Sequence, residues 1–138
     1  MLRFKADQLR GMSASMFRRV GVPAADAELV ADHLVEAGLL GHDTHSVLRL
    51  PQYVVMVRSG TVQPGAEFKL LADTRYTARV SGGWNFGPVT ATAAMRLAID
   101  KAREGAMSVV TVRDCNHVAR LGRFAALAAG ERMVGLLM

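Results

Sequence analysis

The sequence predicts an α/β protein in which a helical amino-terminal segment, residues 1–65, is followed by a sheet-bearing part, residues 66–138. Three observations lead there. Apolar residues recur at helical spacing up to about residue 60. Beyond that point, short β-branched runs alternate with helical stretches, the pattern of parallel crossovers. A chain of 138 residues that is 51% hydrophobic and only 21% charged can build a core and is not intrinsically disordered.

Taken in order, Phe4 to Val20 carries Leu9, Met12, Met16 and Val20 one turn apart, and Gly21 follows as a C-cap. Pro23 sits at the start of a second helix, where its missing N–H costs little. Ala27, Val30, Ala31, Leu34 and Ala37 form its apolar stripe, and Glu28, Asp32 and Glu36 its wet face. After a break at 38–43, a third helix is expected from Ser46 or Arg49 to Arg58, with Pro51 in its first turn. Phe68 to Leu71 and Tyr76 to Val80 read as strands joined by 72–75. The glycine-rich turn 81–87 leads to a helix opening at Pro88 and closed by Gly105. Met107 to Val112 reads as a buried parallel strand, Leu121 to Ala129 as a short helix, and Met133 to Met138 as a further apolar strand. An apolar strand with nothing downstream to cover it is expected of the front part of a larger protein.

Composition narrows the function. The single cysteine, Cys115, excludes an internal disulfide and a multi-cysteine metal site, and reads as a small buried side chain. The net charge of +5 is spread over single or paired cations, so a solvated surface is expected and not a nucleic-acid face. No apolar run approaches the roughly 18–20 residues that cross a bilayer. Charges at Arg3, Lys5 and Asp7 occupy the place of a signal peptide's apolar core, so a cytoplasmic protein is expected. His42 and His45 lack the four-residue spacing of helical metal ligands, and no metal is expected.

Reactive side chains concentrate in two places. In the first, a helix beginning near Ser46 would set His45, Arg49 and Tyr53 on one face. The imidazole can exchange a proton near neutral pH, the guanidinium can hold a carboxylate through two parallel hydrogen bonds, and the phenol can close a pocket. Thr44 and Ser46 either cap the helix or orient the imidazole. In the second, Arg113 to Arg123 follows the carboxyl end of a predicted parallel strand, where open α/β sheets bind ligands. Asn116 offers a donor and an acceptor there, and His117 is an acid/base candidate. Arg120 and Arg123 flank Gly122 at a helix N-terminus suited to an anion. The turn Gly82 to Gly87 lacks the G-x-G-x-x-G spacing; it serves either a tight strand-to-helix turn or the close approach of a ligand.

Together these segments resemble the amino-terminal part of the malate/L-lactate dehydrogenase-like oxidoreductases. The residues that carry the resemblance are Gly41-His42-Asp43-Thr44-His45-Ser46, Arg49-Leu50-Pro51-Gln52-Tyr53, the turn Gly82 to Gly87 and Asn116-His117-Val118-Ala119, with Pro64 and Lys101 between them. The resemblance implies an NAD- or NADP-dependent interconversion of 2-oxo or 2-imino acids with 2-hydroxy or 2-amino acids. It further implies a homodimer and a non-Rossmann nicotinamide-binding domain with a mixed or parallel sheet, begun but truncated in this chain. His45 and His117 become proton-transfer candidates, with Thr44 orienting His45. Arg49, Tyr53 and Asn116 become substrate-binding candidates, and Arg120 and Gly122 cofactor-binding ones. Thr44 stands where the family pattern has serine, and Ser46 and Ala119 stand where it has glycine. The alternative is a catalytically inactive remnant that serves as a dimerisation or binding module.

Overall fold

A computed structural model describes residues 4–138, which form two compact units meeting at Gly65 and Ala66. The first unit is helical. Helix α1 (Ala6–Arg19) packs on α2 (Ala24–Leu39), burying Phe17 against a stripe that includes Ala27, Val30, Ala31 and Leu34. Gly21, at φ 88°, closes α1 as glycine does after a helix. The Arg10 guanidinium ties the two helices through Asp32 at 2.7 Å, and that bond raises its pKa.

The third helix departs from expectation. Two 3-10 turns, Asp43–His45 and Val47–Arg49, precede α3 (Leu50–Arg58). Ser46 separates them in extended backbone (φ −90°, ψ −162°), so His45 is not in register with Arg49 and Tyr53 on one helix. The physical reason is local: the Ser46 hydroxyl donates to Asp43 O at 2.7 Å and accepts from Leu48 N at 3.4 Å, closing each turn separately.

The second unit holds a three-stranded mixed sheet in the order β1 (Lys69–Asp73), β2 (Thr77–Ser81), β3 (Val109–Arg113). The β1–β2 pair is antiparallel with an irregularity between Leu70 and Ala72; β2 and β3 run parallel, joined through α4 (Gly87–Gly105). The expected strand 68–71 thus runs on to Asp73, where the Lys101 ammonium of α4 meets the Asp73 carboxylate and, at 2.6 Å, the Thr74 carbonyl. Helix α5 (Gly122–Gly130) packs on α4, where Ala91, Met95, Ile99, Phe124 and Ala128 make the core.

Two expectations fail here. Strand β3 is not buried: among the described residues no strand flanks its outer edge, and Val109, Thr111, Val112 and Arg113 are exposed. Residues 133–138 form no strand. Arg132, at φ 60°, turns the chain back onto α5, where Met133 N bonds Ala128 O at 2.9 Å. Met133 and Leu137 then pack on the helical core, with Gly135 close against Ala125 and Ala128.

Candidate active site

In the first unit the polar turns bring Thr44, His45 and Arg49 together. Thr44 Oγ1 lies 3.0 Å from His45 Nδ1. A hydroxyl can donate to that nitrogen or accept from it, so the contact orients the imidazole in either tautomer. Arg49 Nε donates to the Thr44 carbonyl at 2.6 Å, and Nη1 to Gln52 Oε1 at 2.7 Å. These bonds use two of the five N–H groups of a guanidinium, so the fork is held in place with donors to spare. The capping and orienting roles left open for Thr44 and Ser46 are divided: Ser46 caps and Thr44 meets the imidazole. Tyr53 is 2% exposed and belongs to the core; burial raises its phenol pKa, against a smaller opposing effect of Arg49.

In the second unit the loop after β3 lies across the glycine-rich turn. Gly82 N donates to Arg113 O at 3.0 Å and Trp84 N to Asp114 O at 2.7 Å. In return Asn116 Nδ2 donates to the carbonyls of Trp84, at 2.6 Å, and Asn85, at 3.1 Å. The Asp114 carboxylate accepts from Ser81 Oγ at 2.7 Å and Arg113 Nε at 2.9 Å, and these two bonds lower its pKa. A Cβ on Gly87 would collide with the His117 carbonyl, and one on Gly82 would lie 2.7 Å from Thr90 Oγ1. The glycines thus admit the chain's own backbone. Asn116 thus places both amide hydrogens on this junction. His117, next in sequence, is exposed.

Arg120 lies folded over the start of α5, its Nη1 2.7 Å from where a Cβ of Gly122 would stand. No side chain caps that helix at Leu121. Cys115 is half-buried, donates to Asn116 O at 3.2 Å, and has its thiol pKa raised by burial. Sequence reasoning did not single out Ser81 or Asp114 as builders of this junction; the signal was only that each borders a glycine-rich or Asn-His segment. Among the described residues no three His, Cys, Asp or Glu side chains gather as a metal site, and no helix is long and apolar enough to cross a membrane.

Comparison with known proteins shows the family. The sequence profile of the malate/L-lactate dehydrogenase family matches residues 4–138. The chain belongs to that family. It is similar to a malate dehydrogenase of Pyrococcus abyssi, 36% identical over 137 residues, which are 99% of this chain and 38% of that protein. An L-sulfolactate dehydrogenase of Methanocaldococcus jannaschii is 32% identical over 96% of this chain and 38% of its own length. The solved malate dehydrogenase of Pyrococcus horikoshii superposes with a TM-score of 0.92 at 34% identity, over 94% of this chain and 37% of that one. The chain therefore spans less than two-fifths of the family members it matches.

Proposed function

We propose that the protein carrying this sequence is an NAD- or NADP-dependent dehydrogenase that interconverts small 2-oxo acids and 2-hydroxy acids such as malate, sulfolactate or lactate. It would act in the cytoplasm as a homodimer, with residues 66–138 opening its nicotinamide-binding domain. The observation that carries the reading is the Thr44–His45–Arg49 arrangement, in a chain of this family: an oriented imidazole and an anchored guanidinium joined through one backbone carbonyl.

Each residue then has a task. Arg49 holds the substrate carboxylate through the donors it does not spend on Thr44 and Gln52. His45 or His117 exchanges a proton with the oxygen on C2, giving it up as the carbonyl becomes an alkoxide and taking it back in the reverse direction. Thr44 keeps the His45 ring turned for that exchange. A nicotinamide dinucleotide, when bound, supplies or accepts the hydride. The uncapped N-terminus of α5, bare at Gly122 and overlaid by the Arg120 guanidinium, suits one of its phosphates.

The test is turnover with NADH or NADPH and the 2-oxo acids that correspond to these hydroxy acids. His45→Ala or His117→Ala should lower kcat by about 100-fold or more, the usual range for a general acid/base, while leaving Tm nearly unchanged. Near-normal turnover in both variants would overturn the proton-transfer assignment. Failure of the wild-type protein to bind either dinucleotide, followed by fluorescence, would favour a non-catalytic binding module.

A further inference from the structure

We propose that Asn116 is a positioning residue for His117, acting as a carboxamide clamp on the turn before α4, and that it is not a ligand of the substrate. The inference rests on His117 as a proton carrier. Its geometric ground is separate and lies wholly within the second unit.

Asn116 Nδ2 bridges two successive carbonyls, Trp84 O at 2.6 Å and Asn85 O at 3.1 Å. Trp84 N returns a bond to Asp114 O at 2.7 Å, so turn and loop are pinned on either side of Cys115. Gly87 completes the contact, because any side chain there would strike the His117 carbonyl. These two segments also hold three non-glycine residues at positive φ: Trp84 at 60°, Asp114 at 52° and Ala119 at 60°. Such backbone persists where its surroundings over-determine it, and it gathers at functional sites. Asn116 is half-buried while the neighbouring His117 is exposed, so the junction fixes the backbone of an exposed histidine. The carboxamide nitrogen has two hydrogens, one for each carbonyl. Aspartate has the same shape but sets acceptor against acceptor.

Asn116→Asp and Gly87→Ala each disturb the backbone around His117, and Asn116→Ala removes the clamp without repulsion. By NMR each should shift the His117 imidazole and amide signals, with those of Ile99 and Phe124 in the α4–α5 core unchanged. The emission of Trp84, the sole tryptophan, should shift with them. In turnover, kcat should fall by about 100-fold, as for a displacement of about 1 Å, with KM for the 2-oxo acid nearly unchanged. A raised KM with intact kcat in Asn116→Ala would make Asn116 a substrate ligand and overturn the proposal. Unmoved His117 signals in both Asn116→Ala and Gly87→Ala would overturn it equally. If the wild-type protein reduces no 2-oxo acid, the functional reading falls, and the NMR comparison still decides the clamp.

Discussion

Ser46 and Ala119 both stand where the resemblance leads one to expect glycine, and the backbone treats them oppositely. Ser46 sits in extended backbone that any residue adopts, and its buried hydroxyl holds two bonds. Ala119 is buried at φ 60°, where its Cβ crowds the following carbonyl at a cost of about 1–2 kcal/mol. Ala119→Gly should therefore stabilise the protein by about 1 kcal/mol, the usual size of a relieved backbone conflict, seen as a Tm rise of a few degrees. Ser46→Ala should lower stability by about 1 kcal/mol through loss of a cap. Thermal unfolding of the two variants checks both signs. At this scale the grouping of Thr44, His45 and Arg49 was legible, but the bonds that each side chain makes were not. Thr44 and Ser46 carry the same functional group two positions apart, and only the fold assigns the imidazole to one and the cap to the other.

The helices were legible in the apolar stripes that they bury, as the spacing of Ala27, Val30, Ala31 and Leu34 shows. What failed was anything decided by contacts distant in sequence. Met133 to Met138 has the composition of a strand, but a strand needs a partner, and the positive φ of Arg132 delivers the segment to α5 instead. Strand β3 has the β-branched run of a buried strand and is exposed, because burial depends on what lies beside it. The junction of the β3–α5 loop with the glycine-rich turn was equally hidden, since Ser81 and Asp114 are 33 residues apart. It has a testable pH dependence. The folded-state pKa of Asp114 is lowered, so its carboxylate supports the junction fully above the unfolded value of about 3.9. That support is lost as pH falls through the folded value. Trp84 emission should change on acidification below about pH 4 in the wild type, and Asp114→Asn should abolish this transition. An identical acid transition in the variant would assign it elsewhere.

For the molecule as a whole, the proposed site residues fall in both units: Thr44, His45 and Arg49 in the first, Asn116, His117 and Arg120 in the second. The order of those segments along the chain was legible in the sequence, because polar clusters and tight glycine turns leave recognisable residue types at fixed spacing. Family membership follows from 98% or so of the chain, and the activity of the whole protein from the proposal that these residues serve a 2-oxo acid. That proposal is tested most directly at Arg49. Two charge-assisted bonds to a carboxylate contribute about 3 kcal/mol, so Arg49→Met should raise KM for the 2-oxo acid by about 100-fold. Arg49→Lys, which keeps the charge without the fork, should recover part of the loss. An unchanged KM in Arg49→Met, in a protein that still reduces the acid, would contradict the account.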